Sequence, residues 1–190
     1  MEKHCIMELP VLTAEFGNIE DKQGNSYVTR SVLDMKGVDL KSGSPELIIV
    51  MLNPGKCEIR NNSVSYDSTL HRIKNVIGGK IQWIRIINLS DVRCPESKSF
   101  YELVEKLPPE HSIFSEVRAL ELDEYLKGCQ NVYFACGTSK KANELLLLAK
   151  NSIESRKLRI LNESDDYYHP LMRPNAVRGK WESQVLLALK

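Results

Sequence analysis

Three apolar runs, each ending abruptly in a polar turn, restrict what this chain can fold into. Leu47-Ile48-Ile49-Val50-Met51-Leu52 runs straight into Asn53-Pro54-Gly55-Lys56. Ile81-Gln82-Trp83-Ile84-Arg85-Ile86-Ile87 stops at Asn88, and Val132-Tyr133-Phe134-Ala135-Cys136 turns at Gly137. Runs of this kind mark strands buried on both faces, as in parallel sheets. A shorter strand is expected near 158–161. Helices are expected between and after them. Asp67 reads as an N-cap, with Leu70, Ile73 and Ile77 on one face and Gly78-Gly79 as the stop. Ser97 opens a short helix that ends before Pro108-Pro109, and amphipathic helices follow over 112–127, 138–150 and 179–189. Strands alternating with helices predict an α/β fold: a three-layer sandwich with a central, mainly parallel sheet flanked by helices. Residues 11–33 alternate as an antiparallel hairpin turning at Asp21–Asn25, and 53–66 read as a long polar loop. The expected organisation is a single domain over 1–190, with a hairpin extension (1–45) ahead of the core (46–190).

Bulk properties narrow the function classes. With 42% hydrophobic and 27% charged residues, the 190-residue chain has the balance of a globular domain large enough for a substantial core. No apolar run approaches membrane-spanning length and no signal-peptide core is visible, so a cytoplasmic protein is expected; a monomer is the expected state. The five cysteines are scattered and never spaced C-x-x-C, which argues for reduced thiols and against a zinc or iron–sulfur framework. A net charge of +1 supplies no global pull toward nucleic acid, so any DNA contact must come from a local basic patch.

Open α/β sheets place their chemistry at the carboxyl ends of the strands. Asn53 and Asn88 both stand at such ends; each amide can orient water or read a base edge, and each can equally close a turn. Lys56 follows a glycine, but the spacing of a Walker loop is absent. His169 lies in Tyr167-Tyr168-His169-Pro170-Leu171-Met172-Arg173-Pro174, a segment that combines large apolar groups with cations and continues to Arg178 and Lys180. Apolar wedges beside cations are what proteins insert between base pairs while holding phosphates. The alternative is a loop docked on the core with its charges in water. Cys136-Gly137-Thr138-Ser139 puts a glycine and hydroxyls at a helix start, where anions bind readily.

Taken in order, these segments resemble the uracil-DNA glycosylase superfamily. Met51-Leu52-Asn53-Pro54-Gly55 is similar to its first motif, a G-x-N-P-[GS] or G-x-x-P-G turn. Ile86-Ile87-Asn88-Leu89-Ser90-Asp91-Val92-Arg93-Cys94-Pro95 resembles the I-T-N-V-V-K-C-R-P-P segment of its thermophilic branches. Tyr168-His169-Pro170-Leu171-Met172-Arg173-Pro174 resembles the T-Y-H-P-x-x-x-L-R-x-P second motif. The nearest likeness is to an uncharacterised bacterial and phage branch with an L-N-P turn, a D-x-T-x-x-R segment (here Asp67 to Arg72) and a terminal H-P-L. The likeness covers 46–190. Met51 stands where the first motif has glycine, and Leu171 where a small residue follows His-Pro.

The resemblance implies a uracil-DNA glycosylase-like fold and a monofunctional DNA N-glycosylase that extrudes a damaged or modified base and cleaves its glycosidic bond, leaving an abasic site. Asn53 would position water and His169 would stabilise charge on the departing base. Met51, Gly55 and Asn88 would contact the base. Lys56, Leu171, Met172, Arg173 and Arg178 would hold DNA and fill the gap left by the flipped nucleotide. No metal or organic cofactor is required, and the partner is DNA, not a membrane. In the uracil-specific branch an aromatic residue follows the first-motif proline and blocks the pyrimidine 5-position. Gly55 offers no such wall, so the expected substrate extends to bulky modified pyrimidines of phage DNA, an antiviral defence role. A tyrosine at Gly55 is expected to exclude such bases while sparing the fold. Two other readings stay open: a non-catalytic nucleotide- or DNA-binding module, and a hydrolase of free nucleosides or nucleotides.

Overall fold

The computed structural model describes residues 11–37, 40, 42–56, 58–60, 63–94, 96–162, 167–171 and 175–190, with backbone alone for 11–12, 58–60, 63–65, 97–98 and 175–178. The chain forms β1 (Val11–Glu20), β2 (Ser26–Lys36), β3 (Leu47–Met51), β4 (Glu58–Arg60), β5 (Ser63–Ser65), α1 (Ser68–Ile77), β6 (Trp83–Asn88), α2 (Ser97–Val104), α3 (Ala119–Leu126), β7 (Asn131–Phe134), α4 (Asn143–Ser155), β8 (Arg159–Ile160) and α5 (Asn175–Ala188). It is an α/β fold around a six-stranded sheet of order β1-β2-β6-β3-β7-β8.

The sheet is mixed, which corrects the expectation of a mainly parallel one. β3 pairs parallel with β6 and β7, and β7 with β8, whereas β1–β2 and β2–β6 are antiparallel. The expected hairpin is therefore part of the sheet rather than an appendage. Its second strand is buried from Val32 to Met35, and Asp34 lies opposite Arg85 in register. The Arg85 guanidinium donates to both carboxylate oxygens of Asp34 at 2.8 Å and to the Tyr125 carbonyl at 2.9 Å. That pair bolts the hairpin to the parallel strands, and short-range alternation carries no sign of it.

Helices cover both faces because the buried runs alternate their side chains between them. Leu47, Ile49 and Met51 of β3 pack with Leu70, Ile73 and Ile77 of α1 and Trp181 and Val185 of α5. Ile48 and Val50 pack with Leu122 and Leu126 of α3 and Ala149 and Ile153 of α4. Asp67 caps α1 by accepting from the Leu70 N–H at 2.9 Å, and Gly78 ends it, both as the sequence indicates. Several boundaries differ, among them the end of α4 at Ser155 and the start of α5 at Asn175. Residues 112–115 form turns in place of the expected helix start, followed by a 3-10 turn at Glu116–Arg118. Arg118 is held there by Asp91 and Glu121, which anchors the helix start at Ala119. Likewise Lys140–Ala142 is a 3-10 turn ahead of α4. The loop expected over 53–66 contains the small β4–β5 hairpin.

Candidate functional site

The parallel strands β6, β3, β7 and β8 lie side by side although β3 comes first in the chain, so the connections leaving β3 diverge there. Such a switch point opens a crevice at the carboxyl ends of the strands. A cavity of about 250 Å³ lies there, lined by Arg30, Met51, Asn53, Gly55, Lys56 and Asp67, with Thr69, Leu70, His169 and Leu171 closing it. Asn53 and His169, far apart in sequence, thus share one cavity.

Asn53 leaves β3 two residues after Met51, and its amide nitrogen donates to the Cys94 carbonyl at 2.5 Å. That bond ties the turn after β3 to the loop after β6 and fixes the amide plane; the carbonyl oxygen of the amide takes no part in it. His169 is partly buried, and its Nδ1 accepts from the Leu171 N–H at 3.1 Å. The proton of a neutral ring is therefore on Nε2, which acts as a donor. Burial pushes the imidazole down to about 4, against a smaller opposing pull from Asp67, so the ring is neutral at physiological pH.

The expected base- and DNA-contacting residues divide into three groups. Met51 is a buried wall of the cavity, while Gly55, exposed Lys56 and Leu171 line it. Asn88 does not: it is 1% exposed and its amide donates to the Arg30 carbonyl at 3.4 Å, so it supports the strand behind the cavity. The strand end is in the expected place, but pairing with Met51 turns this amide into the sheet's own interior. Met172 and Arg173 lie outside the described residues, as does the side chain of Arg178.

Two charged cavity residues lie outside the expected set. Arg30 reaches the cavity through a bulge. Pairing passes from Glu15↔Val32 to Phe16↔Arg30 and leaves Ser31 as the extra residue. One extra residue reverses which face the following side chains take, and bulges of this kind re-aim side chains beside active sites. A buried arginine in a strand at an abrupt change of alternation was the available signal. The second is Asp67, expected as a cap alone, which caps α1 and lines the cavity as well.

Gly55 is not an open position. A Cβ there would overlap the Asp67 carboxylate, so the glycine exists to admit that group. This corrects the expectation that a tyrosine at this position spares the fold. Gly55→Ala is expected to displace the cap of α1 and lower stability by about 1 kcal/mol, the usual loss of such a cap. Thermal melting checks it; an unchanged midpoint would show that Asp67 moves aside freely.

Among the described residues, no group of three or more His, Cys, Asp or Glu side chains is arranged to hold a metal ion. No described helix is long and apolar enough to cross a membrane. The structure is similar to a thermostable esterase from Pseudomonas putida ECU1011, at 10% identity and a TM-score of 0.36, over 96% of this chain and 54% of that one. A feruloyl esterase module from Clostridium thermocellum aligns at 10% identity and a TM-score of 0.26, over 84% and 69%. The chain thus spans about half the length (54%) of the Pseudomonas esterase. No curated protein matches it. The family model described as "Protein of unknown function (DUF1643)" matches residues 30–171, a stretch that opens on the cavity's Arg30 and closes on its Leu171, and the chain belongs to that family.

Proposed function

We propose that this protein is a DNA glycosylase of the uracil-DNA glycosylase type, hydrolysing the N-glycosidic bond of a damaged or modified base in DNA. The observation that carries the reading is the convergence of Asn53 and His169 on one cavity at the carboxyl end of β3. Glycosidic cleavage builds positive charge on the sugar and negative charge on the departing base. A neutral imidazole whose Nδ1 is already engaged offers Nε2–H to a carbonyl oxygen of that base. The Arg30 guanidinium in the same cavity favours the same negative charge. At about 250 Å³ the cavity falls just below the ~300–1,000 Å³ of typical small-molecule pockets, a size suited to one extruded base. No metal or organic cofactor takes part in the proposed reaction.

The net charge of +1 favours one alternative, hydrolysis of free nucleosides. One experiment separates the readings. The protein is incubated with oligonucleotides carrying uracil, damaged bases or bulky 5-modified pyrimidines, and with the matching free nucleosides. Alkali-labile abasic sites in DNA are the expected result. Base release from nucleosides alone would establish the alternative, and an electrophoretic shift without base release would establish a binding module.

A further inference from the structure

We propose that Arg30 reads the base in this site and selects a cytosine-type pyrimidine over a uracil-type one; the inference rests on the glycosylase reading above. The strand-end amide that the resemblance assigns to this task is occupied elsewhere. Asn88 is 1% exposed, and its amide nitrogen donates to the Arg30 carbonyl at 3.4 Å. The Arg30 N–H in turn donates to the Asp91 carbonyl at 2.8 Å. Arg30 is thus pinned by both of its peptide groups to the end of β6 and the turn that follows. Its side chain, carried over by the bulge at Ser31, lines the cavity in place of the amide. The hairpin that supplies it lies outside the four parallel strands.

Exchanging an amide for a guanidinium changes what can be read. An amide offers a donor and an acceptor, and so matches the alternating edge of uracil, whose N3–H lies between two carbonyls. A guanidinium offers five donors in a fixed fork and no acceptor. It matches two adjacent acceptors, and meets the uracil N3–H donor to donor. Among pyrimidines the cytosine type presents such a pair, O2 and N3. Guanine presents one too, O6 and N7, but no carbonyl adjoins its glycosidic nitrogen to receive the Nε2–H of His169. Burial sharpens the choice: Arg30 is 2% exposed, so a mismatched donor has little water to turn to. The same contact answers the chemistry of the leaving group. Cytosine has one ring carbonyl to uracil's two, so its departing anion is less stabilised, and the charge gathers on O2 and N3. A cation held against those atoms offsets the difference.

Matched duplexes carrying cytosine or uracil, each plain or with the same 5-hydroxymethyl group, separate the two edges at constant size. The wild type should release the cytosine-type member of a pair faster by about 5- to 150-fold, the discrimination of one bidentate contact. Arg30→Gln restores an amide and should bring that ratio close to one or reverse it. Arg30→Lys keeps the cation without the fork, so base release should persist while the ratio falls toward one. Each ratio is read within one preparation, so any loss of folded protein cancels. Where a variant no longer releases base, electrophoretic competition between the paired duplexes reads the same preference. A wild type that favours the uracil-type member, or neither, would overturn the proposal. A cytosine preference undiminished in both variants would also overturn it, since another group would then be reading the edge. Both results leave the glycosylase reading standing. Absence of base release by the wild type from every duplex would overturn both.

Discussion

His169→Ala and Asn53→Ala are each expected to lower base release by about two orders of magnitude or more, the scale of losing one preorganised electrostatic group. The two losses differ in kind. Removing His169 takes away a neutral donor aimed at the leaving group, so bases that leave readily should suffer least. Removing Asn53 also cuts the bond to Cys94, which joins the turns after β3 and β6, so a modest fall in melting temperature should accompany it. The His169 variant carries a second, independent readout in pH. Its folded-state value of about 4 lies below the ordinary 6.5, so the unfolded chain takes up the proton first. Stability from this group is complete above about pH 6.5 and falls as pH drops toward 4, by at most about 3 kcal/mol. In His169→Ala that part of the acid sensitivity should vanish from a series of urea titrations. Equal acid slopes in the two proteins, with wild-type turnover, would contradict the assignment of this ring.

Asp34→Ala should be among the most damaging substitutions for the fold. It leaves the partly buried Arg85 guanidinium between β2 and β6 with its bidentate partner gone. Breaking one side of a buried ion pair costs about 3–5 kcal/mol, a large part of the 5–15 kcal/mol that holds a typical domain together. Replacing both residues with apolar groups of similar volume should recover much of it, because the uncompensated charge is then gone. Urea unfolding of the single and double variants measures both. A loss under 1 kcal/mol in Asp34→Ala would mean that Arg85 is satisfied without Asp34. Since β2 carries Arg30 to the cavity, the same variant should weaken any activity that depends on that guanidinium.

β3, β6 and β7 were legible in sequence because each is a short apolar run closed by a polar turn, and local pattern suffices to bury such a run. Asp67 and Gly78 were legible as the two ends of α1 for a similar reason, since capping is chemistry between residues a few positions apart. The pairing of Asn53 with His169 was expected from strand ends and from the resemblance, and the cavity contains both. What lay beyond the sequence is everything set by contacts between distant segments. Alternation in 11–33 announces a hairpin but not its neighbour, so only the register of β2 on β6 made the sheet mixed. One unpaired residue, Ser31, reverses the faces that follow it and swings Arg30 to the cavity. Asn88 and Gly55 show the converse. Both sit where their motifs predict, yet sheet pairing turns one amide inward, and the approach of α1 fills the space beside the glycine with the Asp67 carboxylate. Local pattern determined which residues stand at the strand ends. The packing of strands and helices, decided by burial across the whole sheet, determined which of them face the cavity.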